Sequence, residues 1–463
     1  MKDPILFKLF KNFVFEIYPL LDPALEKKII QPKYDKYPSL KYKSNGMPEF
    51  SLYNPNSPYK INDLFRGWGG KCDIQLKNFE SYLELENYLL NHKEHILSTF
   101  PETFEKSEKY SFLLISVIEE ILERYYLLNI SKTENEILLT EIYTPFENYI
   151  YAENLHFDIA IPILFIGFDQ DEFQINEDII VRKIKDEHQI ARYDIKSYTP
   201  AITDAIISSA THEVVFKNYF LKKGNKFFDN RLADEKAFPL ERFEMFFNSI
   251  KVTTNINSGF AQILVYPHNW VDFYKSDMAT VKGLSLKKYP NYFDDYFWNN
   301  DTFPIINKDE GVKIAKVYNN LLKNENNKIQ IANRRLRLSY LRDNDEDSIL
   351  DIIIALETLL SDNDKGELTH KLALRTAKLL SYHNSNYNAL QIFNAVKKIY
   401  DFRSAVVHGS SKIDSKREIK LHSEAEPIKT ISLANDYLRE VLGILVENPI
   451  YLDSKEIDKL LLE

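Results

Sequence analysis

At 463 residues, with 44% hydrophobic side chains and only 12 glycines, the chain is long enough for two or three packed domains and too apolar to be disordered. Its formal net charge of −9 excludes indiscriminate nucleic-acid binding, which needs an excess of Lys and Arg, but leaves room for a small site of local positive charge. The single cysteine, Cys72, excludes an intramolecular disulfide and a Cys-cluster zinc site, and suits a reducing cytoplasm.

No secretory signal is visible, because the stretch from Met1 to Lys11 is apolar only in short bursts broken by lysines. The best candidate for a membrane span, residues 110–130, contains Glu119, Glu120, Glu123 and Arg124, each too costly at a bilayer centre. It is read as a buried amphipathic helix.

Residues 1–150 read as mostly helical. Apolar residues over 7–21 have helical spacing, and Pro23 marks a start or a break. Residues 31–71, rich in Tyr, Pro, Ser, Asn and Gly, read as irregular. They end in Phe65-Arg66-Gly67-Trp68-Gly69-Gly70 before Lys71, a run that lacks the Gly-Lys-Ser/Thr ending of a phosphate loop and reads as a turn. Helices are expected over 79–99, 109–130 and 133–150. His92 and His95 lie three apart with no third ligand nearby, and read as a surface pair.

The character changes at about residue 151. Residues 157–166 are apolar and β-branched, 173–184 and 212–220 partly alternate, and 251–267 reads as a strand or two around a turn at Asn257-Ser258-Gly259. Asp169-Gln170-Asp171-Glu172 lacks the Gly and the terminal Glu of a calcium loop and reads as a turn between strands. A helix is expected over 187–194, a surface loop over 289–301 and a helix over 309–324. From there helices are expected over 328–342, 346–361, 366–382, 387–408 and 431–447, with a last one over 453–462. The polar exception is 409–430, which carries Lys412, Lys416, Arg417, Lys420 and Lys429. The fold class is therefore α+β. A mostly helical N-terminal region covers 1–150, a strand-rich middle domain covers 151–325 and could form one module with it, and an all-α bundle covers 326–463.

Three stretches of that bundle carry the functional reading. One is an apolar helix with the acid Glu357 in Ala355-Leu356-Glu357. The second is Lys371-Leu372-Ala373-Leu374-Arg375. The third is Tyr400-Asp401-Phe402-Arg403-Ser404 running into Val407-His408-Gly409. In order and spacing this set resembles the Apea-like branch of the HEPN ribonucleases, over about residues 329–447. The resemblance implies a HEPN-like bundle that acts as a homodimer with two motifs facing each other. It also implies metal-independent, cofactor-free cleavage of RNA such as tRNA, giving 2′,3′-cyclic phosphate and 5′-OH ends. The setting it implies is a cytoplasmic bacterial toxin or antiviral defence effector.

Residue chemistry agrees with that expectation. His408 is the natural proton carrier, imidazole being the one side chain suited to exchanging protons at neutral pH without help, and Arg403 is a planar fork that can hold a phosphate bidentately. Positions five apart on a helix differ by about 140° around the axis, so the pair shares a site only if His408 swings back from a frayed last turn. Gly409, suited to a left-handed stop, permits that. Ser404 and Asp401 could orient either group, and Tyr400 could stack on a base, bind phosphate or simply pack. Glu357 is expensive in an apolar helix unless paired. It reads as one half of a buried bridge to Arg375 or Arg403, with Arg375 as that partner or a phosphate contact. Lys412, Lys416 and Arg417 rim the motif as candidate RNA contacts. Two other readings remain open: a non-catalytic dimerisation or RNA-binding module, and a regulatory partner of another enzyme.

Overall fold

The computed structural model describes residues 1–26, 39–51, 61–65, 72–92, 108–193, 195, 202–222, 232, 234–296, 302–362 and 367–462. The turn expected over 66–70, His95 and Gly366 lie outside them. Of the described residues 57% are helical and 16% are strand, an α+β fold with a central sheet between helical ends. Among the described residues, no helix is long and apolar enough to cross a membrane.

The N-terminal core is built by helices α1 (Pro4–Glu26), α2 (Glu80–Asn91), α3 (Glu108–Leu128) and α4 (Glu136–Tyr151). The break expected at Pro23 does not occur, and α1 runs through both Pro19 and Pro23. These prolines lie one turn apart on the exposed side, so the carbonyls they leave unpaired face water. Buried Phe10, Phe13, Val14, Ile17 and Leu21 hold the other side against the core. The irregular reading of 31–71 also needs correction, because Ser39–Tyr42 and Pro48–Ser51 pair as an antiparallel hairpin.

Six antiparallel strands form the middle sheet: β1 (Asn154–Pro162), β2 (Glu172–Asn176), β3 (Ile179–Lys183), β4 (His212–Lys222), β5 (Phe260–Pro267) and β6 (Lys282–Lys288), in the order β2-β3-β4-β1-β5-β6. Helices α5 (Leu240–Thr254) and α6 (Lys308–Lys323) cover one face. Residues 251–254, read as strand from their β-branched side chains, finish α5. Phe243, Phe246, Phe247 and Ile250 set a helical stripe that packs on the sheet, and this tertiary packing outweighs the local preference of Val252, Thr253 and Thr254.

The sheet also holds a pH-sensitive element. His212, at the start of β4, has its ring nitrogens 2.9 Å from Thr211 Oγ1 and 3.2 Å from Gln170 O, and burial pushes its pKa down to about 4. Burial does the same to His188, stacked 4.2 Å from Tyr266. Both rings are neutral in the folded protein at a pH where the unfolded chain, titrating at about 6.5, already takes up protons. Stability should therefore fall as pH drops from about 6.5 to about 4. The urea midpoint should be lower at about pH 4.5 than at about pH 7, and His212→Gln should shrink that difference. An unchanged difference in His212→Gln would remove His212 as a cause.

The C-terminal bundle comprises α7 (Asn327–Leu341), α8 (Asp345–Leu360), α9 (Leu368–His383), α10 (Ala389–Val407), α11 (Thr430–Glu447) and the short α12 (Ser454–Leu460). Asparagine side chains cap three of the starts: Asn326 accepts from Lys328 N, Asn344 from Asp347 N and Asn388 from Gln391 N. Ile352, Leu356, Leu359, Leu372, Leu379, Val396, Ile399, Leu438 and Leu442 meet in one core. Val252 of α5 and Val317 and Leu321 of α6 join that core, so it continues into the helices that also pack on the sheet.

Candidate active site

The candidate motif lies at the end of α10. Ser410 N–H donates to Ala405 O at 2.9 Å and Gly409 N–H to Val406 O at 3.3 Å, with Gly409 at φ 61°. That paired pattern is a Schellman stop, so the helix ends where Gly409 was expected to end it. His408 is the C-cap, its N–H donating to Ser404 O at 3.1 Å. Its side chain is exposed, whereas that of Arg403 is half-buried. No hydrogen bond or ion pair joins the two among the described residues.

Arg403 lies over the ring of Tyr400, with the guanidinium carbon 5.6 Å from the ring centroid. Its Nε is buried without a hydrogen-bond partner, and so is Glu357 Oε1. The Tyr400 hydroxyl faces Glu357 on α8 and Thr369 on α9. Burial raises its pKa, the Glu357 carboxylate raises it further, and Arg403 opposes them. Three helices therefore bring Glu357, Tyr400, Thr369 and Arg403 together. Arg403 and Glu357 each keep one buried polar atom without a hydrogen-bond partner near Tyr400, which is uncommon enough in a folded protein to mark the spot. Thr369 went unnoticed in the sequence because nothing local marks one threonine at the start of an amphipathic helix.

Other candidates go elsewhere. Neither bridge considered for Glu357, to Arg375 or to Arg403, forms an ion pair among the described residues. Arg375, 3% exposed, grips Asp458 of α12 bidentately, with Nε to Oδ1 and Nη2 to Oδ2 both 2.7 Å. It also donates to Asp362 Oδ2 at 2.8 Å and Leu360 O at 2.8 Å. This makes it an anchor for α12 and for the end of α8, with its donors turned into the protein. Asp401 is exposed, and its carbonyl accepts from Lys416 Nζ at 3.1 Å. Ser404 is half-buried, with its carbonyl used by His408.

The basic segment after His408 is an ordered strap. Glu418–Ile419 pairs with Ile428–Lys429, and Thr430 Oγ1 donates to Lys416 O at 2.6 Å. Arg417, a candidate RNA contact, is matched by Asp345, Glu346 and Asp414. The first two sit in the acidic first turn of α8. Lys412 is exposed, and its ammonium has no ion pair among the described residues. If RNA binds here, Lys412→Ala should lower the slope of log affinity against log salt by about 1, and Arg417→Ala should leave it unchanged. Filter binding over a salt series measures both, and a larger effect from Arg417→Ala would reverse the assignment.

No family model, no curated protein and no solved structure matches this chain. Among the described residues, no group of three His, Cys, Asp or Glu side chains is placed to hold a metal ion.

Proposed function

We propose that this chain is a metal-independent endoribonuclease of the HEPN type. The observation that carries the reading is Arg403: a half-buried guanidinium beside a helix stop, stacked on Tyr400, with an unused Nε and no carboxylate partner among the described residues. In the reaction, a base takes the 2′-OH proton and O2′ attacks phosphorus. The bond to the 5′-oxygen breaks and an acid returns a proton to it, leaving a 2′,3′-cyclic phosphate and a 5′-OH. Arg403 would hold the non-bridging oxygens, where negative charge grows. His408, exposed at the helix end, would carry a proton, and a second copy facing the first would supply the other. The α10 ends of two protomers would then share one cleft. The biological setting proposed is a cytoplasmic toxin or antiphage effector, released by a trigger to cut RNA such as tRNA.

A second reading, a non-catalytic dimerisation or RNA-binding module, draws on His408. Its ring has no hydrogen-bond partner among the described residues to fix its tautomer or direction, as a catalytic imidazole usually has. The deciding experiment is cleavage of total tRNA and a long single-stranded RNA in EDTA, with end groups identified, by the parent and His408→Ala. Cyclic-phosphate ends made by the parent and lost in the variant support the ribonuclease. Equal cleavage by both would assign the activity to another site or a contaminant.

A further inference from the structure

Helix α7 carries buried polar side chains toward two different neighbours. On the sheet side stands Arg337, 1% exposed. Its Nη1 donates to Ser258 O at 2.9 Å and to the Tyr340 hydroxyl at 2.6 Å, and its Nη2 donates to Lys288 O at 2.6 Å. The guanidinium lies 5.3 Å from the Phe247 ring centroid and 5.0 Å from that of Tyr340. No carboxylate pairs with it among the described residues, and its Nε has no partner. Ser258 and Lys288 lie where the ends of β5 and β6 meet, Phe260 pairing with Lys288. Between them Gly259 is required by space, since a Cβ there would sit 2.6 Å from Lys288 O.

The same helix is tied to α5 and α8. Tyr340 donates to Asn248 Oδ1 at 2.9 Å, and Asn248 Nδ2 donates to Asn333 O at 2.7 Å. On the bundle side Asp351 of α8, also 1% exposed, accepts from Arg335 and from Arg342 Nε at 2.9 Å.

We infer that α7 is a coupling element that transmits displacement of the β5–β6 end of the sheet to α8, the helix that carries Glu357. The physical reason lies in Arg337. A guanidinium keeps its charge at any working pH, and this one is removed from water with only carbonyls, a hydroxyl and two aromatic faces around it. Moving the strand ends without α7 would strand a buried charge, so α7 follows them. Through Asp351 and its two arginines, α8 follows α7. The bearing of this motion on the candidate site rests on the ribonuclease reading; the coupling itself does not.

Hydrogen exchange on the full-length chain tests it without a cleavage assay. Gly259→Ala pushes Lys288 O away from inside the sheet, and should speed amide exchange in α7 and α8 by about tenfold or more, in addition to any change in β5 and β6. Acceleration confined to β5 and β6 would overturn the coupling. If Gly259→Ala does not fold, Tyr340→Phe keeps the ring and removes the hydroxyl shared by Arg337 and Asn248. It should speed exchange in both α5 and α8 by about threefold or more, and parent-like exchange in α8 would overturn the coupling.

Discussion

Arg403→Ala should reduce single-turnover RNA cleavage in EDTA by about 10²–10³-fold, the usual cost of removing one preorganised donor to a developing oxyanion. Folding stability should change little. Arg403 loses only its stacking on Tyr400, worth about 0.5–1 kcal/mol, and its Nε had no hydrogen bond to break. Arg403→Lys should recover little activity, since an ammonium cannot grip two phosphate oxygens in one plane. Rate and urea unfolding must be measured on the same preparations. A variant that loses several kcal/mol of stability, or keeps its rate, would show Arg403 to be structural or idle. The opposite signature is needed elsewhere to make this one informative, and Arg375 supplies it.

Arg375→Met should cost about 2–3 kcal/mol of stability. Breaking a buried ion pair by removing one partner typically costs about 3–5 kcal/mol because the other charge is stranded. Here Asp458 and Asp362 are 44% and 30% exposed at their side chains, so water moderates the loss. Leu360 O, buried by the same contact, loses its donor as well. Asp458→Asn removes the charge but keeps the shape, and should cost less. α12 is held by this grip and by its own buried Ile457 and Leu460, so its amides should lose protection first. A parent-like denaturation midpoint in Arg375→Met would contradict the anchor role. A large, selective loss of cleavage with full stability would return Arg375 to the candidate site.

The contrast between these two arginines marks how far the sequence could be read. Both stand on amphipathic helices, each beside a chemistry-bearing motif, and nothing within a turn of either distinguishes them. Arg375 finds its carboxylate 83 residues away at Asp458, and Arg417 is matched by acids about 70 residues upstream. Ion pairing is a through-space property, so the sequence ranked Arg375, Lys416 and Arg417 as candidates without seeing which donors were already engaged. The same limit applied to α5, whose last turn has strand-forming side chains but is held helical by the sheet beneath it.

What the sequence determined by itself was local. Helical periodicity and a glycine stop placed α7 to α11 and the end of α10, because the forces that start and stop a helix act within one turn of its ends. Composition and alternation placed the sheet in the middle of the chain. Only the tertiary structure decided that Tyr400 lies under Arg403 and faces Glu357 and Thr369, that Arg375 is engaged elsewhere, and that two prolines can sit inside α1. Each of these depends on which side of an element faces water and which distant side chain meets it, and those are settled only when the whole chain packs.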